Sequence, residues 1–183
     1  MKKILIVVAV LAVIVMSIMG SYNGLVSANE NVTGKWSQVE NQLQRRSDLI
    51  PNLVNTVKGY AKHENDIFTN VANARAKLAG ASTVADKAAA NGELSNALSR
   101  LLAISENYPD LKANTNFAQL QDELAGTENR LAVARKDYND AAQAFNTKIK
   151  SFPANLYAGM FGFSAKDYFK ADEGAKAAPK VTF

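Results

Sequence analysis

Between Trp36 and Glu64 the run WSQVENQLQRRSDLIPNLVNTVKGYAKHE brings together Arg45, Arg46, Asp48, Tyr60, His63 and Glu64, side chains that could do ionic or acid–base work. On a helix Arg45 and Asp48 stand three apart and Tyr60 and Glu64 four apart, so each pair can share a face. The same spacing describes a solvated helix surface or a polar contact inside a bundle. His63 is the sole histidine, so any nucleophile–histidine–acid triad would have to use it. No nucleophile elbow or oxyanion-forming glycine loop accompanies it. A dinuclear carboxylate centre of the ferritin type needs paired Glu-x-x-His motifs and hence more than one histidine, which excludes it. A looser metal site from His63, Glu64 and Glu106 is the remaining arrangement of that kind. The ten glycines are scattered and form no phosphate-cradling loop. With no cysteine there is no thiolate cluster, catalytic thiol, disulfide or lipoprotein acylation site. The chemistry therefore reduces to a polar interaction face, with no enzyme activity, cofactor or metal expected.

A second group lies further on: Asn129, Arg135, Tyr138, Asn139 and Asn146, with Lys112 and Asn114 before them. Tyr138-Asn139 and Phe145-Asn146 repeat an aromatic–asparagine pair seven residues apart, which sets both asparagines on one side of a helix. Isolated polar groups in helical cores fix register, and that role is preferred here to ligand binding.

The elements that must position these groups are helices. Trp36, Val39, Leu43, Ile50, Leu53, Val57, Tyr60, Ile67, Val71 and Leu78 recur at spacings of three, four and seven, with no alternating strand pattern. Pro51 interrupts this stripe because it lacks the N–H that a continuous helix would bond to Ser47. Either one long helix kinks there, or the chain breaks with Asp48 as N-cap and Pro51 in the first turn. Gly80 ends the next segment, and Thr83 with Asp86 three residues later restarts it as a capping box. Leu94, Leu98, Leu101 and Ile104 mark the buried side of the following helix, which Asn91 and Gly92 weaken. Tyr108-Pro109 forces a turn. The last long helix begins near Asp110, or at Asn116 with Gln119 in the capping-box position, and reaches about Ser151. Its stripe of Leu120, Leu124, Leu131, Tyr138, Phe145 and Ile149 is close to a heptad and suits near-antiparallel packing.

Ahead of this lies an apolar segment. Residues 4–16 carry no polar side chain, and with Ser17, Ile18, Met19 and Gly20 the segment reaches 17 residues. At about 1.5 Å per residue it spans roughly 25 Å, slightly less than a hydrocarbon core of about 30 Å. It reads as a transmembrane helix, the competing reading being a signal peptide cleaved near Val26-Ser27-Ala28. Lys2 and Lys3 precede it and the next basic residue is Lys35, which places the amino terminus in the cytoplasm and the bundle outside, in the periplasm if there is an outer membrane. Those two lysines also account for half of the formal charge of +4, so no nucleic-acid-binding stripe is expected.

Pro153 stops the last helix. Phe152, Tyr157, Phe161, Phe163, Tyr168 and Phe169 then form an aromatic cap over the bundle end. From Lys170 the composition is that of a mobile tail; its closing Val181-Thr182-Phe183 reads as a frayed end in preference to a segment for strand addition to a PDZ-like partner.

Three runs carry a resemblance: QLQRRSDLIPNLVNTVKGYAKHE from Gln42, ENYPDLKANTNF from Glu106, and YNDAAQAFNTKIKSFPANLYAGMFGF from Tyr138. Together, over about residues 21–169, the sequence resembles the LemA family of bacterial membrane-anchored helical proteins. That resemblance implies a membrane-anchored helical domain and brings no biochemical activity with it. The expected fold is all-α: an antiparallel up-and-down bundle of three long helices, the first kinked or broken near Pro51 to give a four-helix appearance, preceded by a transmembrane helix. The expected organisation is a cytoplasmic terminus (1–3), an anchor with its interfacial segment (4–26), a LemA-like bundle (27–151), an aromatic cap (152–169) and a tail (170–183). The expected function is a non-enzymatic, single-pass scaffold or adaptor in the cell membrane, acting through a protein partner or self-association. The alternative is an envelope module that binds a small ligand or acidic lipid head groups through Arg45, Arg46, Lys58 and Lys62.

Overall fold

The computed structural model describes residues 1–170, Ile14 by its backbone only. The tail beyond Lys170, with Val181-Thr182-Phe183, lies outside the described residues. The described residues form helices and turns with no strand: α1 (Lys2–Tyr60), α2 (Asn65–Gly80), α3 (Val84–Ile104), α4 (Pro109–Lys112) and α5 (Thr115–Lys150), with 3-10 turns at Ser105–Asn107 and Ala154–Leu156. Two compact units divide the chain: Met1–Ser37 with Lys136–Asp167, and Gln38–Arg135 with the segment beginning at Tyr168. Both draw on α1 and α5.

The second unit is an up-and-down bundle of four helical segments. The end of α1 runs antiparallel to α2, where Ser47 meets Arg75 and Lys58 lies over the Phe68 ring. It also runs antiparallel to α5, where Arg45 meets Glu123 and Tyr60 meets Asn114. Against α3 it is parallel, Glu40 pairing with Lys87 and Arg46 with Asn91. Lys77 pairs with Glu93 between α2 and α3. The buried positions of α1 repeat every seven residues at Leu25, Val32, Val39, Arg46 and Leu53; those of α5 do so at Phe117, Leu124, Leu131, Tyr138 and Phe145. A strict heptad keeps one face of each helix against its neighbour.

α1 passes through Pro51 without a break. The missing N–H at Pro51 leaves the Ser47 carbonyl without its helical donor. Arg75 on α2 supplies another, its Nε–H donating to Ser47 O at 3.0 Å and reaching Ser47 Oγ at 3.2 Å. The chain turns instead at residues 61–64, where Ala61 is buried and Lys62 and His63 are exposed. Thr83 caps α3 as expected, its hydroxyl accepting from the Asp86 N–H at 3.0 Å. α5 begins at Thr115, and its first turn is capped by Asn114, whose Oδ1 accepts from the Phe117 N–H, rather than by Asn116. Asn91 and Gly92 sit buried and helical in α3, so the weak point expected there is instead a packed contact.

In the first unit, α1 and α5 run antiparallel. Lys35 pairs with Asp137, Trp36 lies 5.0 Å from Tyr138 between ring centroids, and Lys148 Nζ donates to the Gly24 carbonyl at 2.8 Å. A Cβ at Gly24 would stand 2.9 Å from the ammonium, so a larger residue there would displace the flexible end of Lys148. After α5 the chain folds back along α1. Leu25, Ala154, Tyr157 and Ala158 form a buried cluster, with Ile18, Ile149 and Phe163 against it. Gly162 takes a φ of 80°, open to glycine without strain.

Candidate functional site

The candidate residues separate into three places. In the interior of the second unit, Arg46 occupies a heptad core position and only 5% of its side chain is exposed. Its Nη1 donates to the Asn91 side-chain oxygen at 2.8 Å and lies 2.7 Å from Glu128 Oε2. The second contact is a close ion pair whose geometry is not that of a hydrogen bond, and Nε of Arg46 is buried without a protein acceptor. Arg135 donates to the other carboxylate oxygen, Glu128 Oε1, at 3.2 Å, and its guanidinium stacks 5.0 Å over the Phe169 ring. One carboxylate thus bridges two arginines, one from α1 and one from α5. Burial draws the Arg46 guanidinium below its ordinary range, Glu128 opposes that shift, and Arg135 adds to it. A network of this kind fixes which faces of α1, α3 and α5 meet, because any slip strands a charge in the core.

Arg45, next in sequence, points to solvent and pairs with Glu123 at 3.0 Å; Asp48 accepts from Gln44 at 2.8 Å. Arg45 and Arg46 therefore do not form one exposed basic patch. At the end of the unit, Tyr60 Oη accepts from Asn114 Nδ2 at 2.9 Å, and Glu64 takes a long contact of 3.5 Å from the Tyr108 hydroxyl. His63 is exposed in the turn beside them. Among the described residues no three histidine, aspartate or glutamate side chains converge.

In the first unit, Asn146 is buried and clamps the returning chain. Its Nδ2 donates to the Lys166 carbonyl at 2.9 Å and its Oδ1 accepts from the Lys166 N–H at 2.7 Å. The Tyr138 hydroxyl donates to the Asp167 carbonyl at 2.7 Å, and burial raises its pKa. Asn139 is half-buried and Asn129 is exposed. The aromatic residues after Pro153 divide: Tyr157, Phe161 and Phe163 pack in the first unit, Phe161 and Phe163 against Tyr22, while Phe169 lies under Arg135 in the second.

Sequence reasoning singled out Arg46 and Arg135 but missed Asn91, Glu128 and Arg75. Arg46 was singled out for its charge; its place seven residues from both Val39 and Leu53 is the signal that would have shown it buried. For Glu128 it was the spacing of seven from Arg135 on one helix face. Asn91 follows the run Ala88-Ala89-Ala90, which gave no reason to expect a partner.

Among the described residues, fold and site define a helical protein with one helix long and apolar enough to cross a membrane and with an ion-paired bundle interior. The chain belongs to the LemA family, whose profile matches residues 35–183. It is similar to magnetosome protein MamQ 2 of Paramagnetospirillum magneticum, at 30% identity over 97% of this chain and 75% of the relative. It is also similar to magnetosome protein MamQ of Magnetospirillum gryphiswaldense, at 28% identity over 91% and 72%, respectively. Protein LemA of Metamycoplasma hominis matches at 25% identity over 84% and 71%.

Proposed function

We propose that this chain is a single-pass membrane protein of the bacterial cell envelope, with its helical domain outside the cytoplasm, acting without catalysis as a scaffold through contacts with a protein partner or with copies of itself. The observation that carries it lies in the first unit. There α1 exposes an unbroken apolar face, with Ile4, Leu5, Leu11 and Val15 each more than half exposed, and a few residues later the same helix is buried against α5 and the returning chain at Leu25 and Val32. Such a stretch in water would be a large unpartnered apolar surface, and its length falls only a few ångströms short of a hydrocarbon core. A helix that is at once anchor and packed element holds its domain at the membrane surface, where lateral contacts gain from high effective concentration. That relatives are named magnetosome proteins supports a role at a membrane. Of the basic residues that would serve a head-group-binding module, Arg46 is buried and ion-paired, which weighs against that alternative.

The test is alkaline carbonate extraction of native membranes with intact-mass measurement of the chain, combined with protease shaving of whole cells, or of spheroplasts if there is an outer membrane. The full-length chain should stay in the pellet and lose its helical domain to external protease. A shortened chain in the supernatant would refute the anchor, and protection of the domain when the outer face of the cell membrane is open to protease would reverse its orientation.

A further inference from the structure

We propose that the turn between Phe152 and Phe163 is a second membrane-contacting element, whose Phe152, Leu156 and Met160 side chains enter the boundary between lipid head groups and acyl chains beside the anchor. The inference rests on the reading of residues 4–20 as a membrane span. The turn is two-faced. Ala154, Tyr157 and Ala158 are buried with Leu25, while Phe152, Leu156 and Met160, spaced four apart, are 80%, 67% and 85% exposed. Three large apolar side chains presented together to water are costly unless something covers them.

Where the turn is held says what covers it. Its partners on α1 are Ile18, Tyr22 and Leu25, which begin at the last residues of the apolar stretch. At about 1.5 Å per residue, Ile18 to Leu25 is roughly 10 Å of helix, the depth of an interfacial layer. The apolar stretch itself is a few ångströms short of a typical hydrocarbon core, and a short span is accommodated by thinning the bilayer or drawing flanking residues toward it. The chemistry around the turn is that of an interface. The Tyr22 ring is part-exposed against Phe161, with centroids 5.1 Å apart, and Lys150 is exposed at the end of α5, within reach of lipid phosphates. A second copy of the chain could also cover the patch, but the bilayer is the surface already continuous with it.

The chain has no cysteine, so one introduced thiol is unique. Full-length Leu156→Cys, Met160→Cys, Val10→Cys and Ser99→Cys proteins, each spin-labelled and reconstituted in phosphatidylcholine–phosphatidylglycerol vesicles, are compared for collision with oxygen and with a water-soluble nickel chelate. All four positions are surface positions, so the labels leave the packing intact. The labels at 156 and 160 should collide with nickel several-fold less than the label at 99, and favour oxygen as the label at 10 does. Nickel access at 156 and 160 equal to that at 99, with 10 still in hydrocarbon, overturns the inference and leaves the anchor standing. Nickel access at 10 removes the anchor and the inference with it. Exclusion of both reagents at 156 and 160 means that protein covers the patch, and overturns the lipid assignment.

Discussion

The passage of α1 through Pro51 depends on a residue from another helix, and a double-mutant cycle measures that dependence. Ser47 is buried and its carbonyl has lost its helical donor, so without Arg75 it would stand unpaired in the core. An unsatisfied buried carbonyl costs about 1–3 kcal/mol, and a hydrogen bond from a charged donor contributes about 1.5–3 kcal/mol. Arg75 is only half-buried, which moves the expectation toward the lower end. Arg75→Met keeps the aliphatic stem and removes the donor, and should cost about 2 kcal/mol in the native background. In Pro51→Ala the new N–H bonds Ser47 directly, so Arg75→Met should then cost less than about 1 kcal/mol, the remainder reflecting the Ser47 hydroxyl contact. Pro51→Ala alone should stabilise, because proline in a helix interior is disfavoured by up to about 3 kcal/mol relative to alanine. The assay is urea unfolding of the full chain in detergent micelles, followed by helical circular dichroism, with the midpoint shift read at constant slope. A coupling of about 1 kcal/mol or more is expected. Equal cost of Arg75→Met in both backgrounds would refute the reasoning.

Three further outcomes are expected. Glu128→Gln should cost more than Arg46→Met in the same unfolding assay: the first strands the buried Arg46 charge at about 3–4 kcal/mol. The second leaves a carboxylate 40% exposed to water and one orphaned amide at Asn91, at about 1–3 kcal/mol. Asn146→Leu should cost about 2 kcal/mol and accelerate hydrogen exchange at the Lys166 amide, which loses its acceptor. The Asp137 carboxyl is held below the usual carboxylate range by its hydrogen bond and charge pairing with Lys35. A depressed folded-state pKa contributes stability above the ordinary carboxylate range, and that contribution is lost as pH falls through the folded value. Asp137→Asn should therefore lower Tm at neutral pH, and the difference from the native chain should close in acid.

The helices were legible because hydrophobic period is a local property. The stripe from Val39 to Val57, the heptad from Leu124 to Phe145, and the Thr83 cap each declare themselves within one turn or a few. The partner of a polar residue is not local. Arg46 reads as the neighbour of Arg45 in sequence, yet a step of one residue is about 100° around a helix, so one faces water and the other the core. Pro51 looked like a choice between kink and break because the donor that replaces its N–H sits twenty-four residues away, on a helix whose placement the sequence does not state. The aromatic run after Pro153 read as one cluster because its residues are close in sequence. The structure instead places Phe161 and Phe163 against Tyr22, and Phe169 under Arg135.

Whether a tethered helical scaffold is what the chain amounts to is tested most directly by photo-cross-linking from exposed positions of the second unit, such as Arg45 and Asn129, in intact membranes. Discrete adducts above the monomer, with a partner or with a second copy, are expected, and they should disappear when residues 1–17 are removed, which leaves the Leu25 cluster in place and loses the effective concentration at the membrane. A chain that stays monomeric in the membrane, with no adduct from any exposed face, would contradict it.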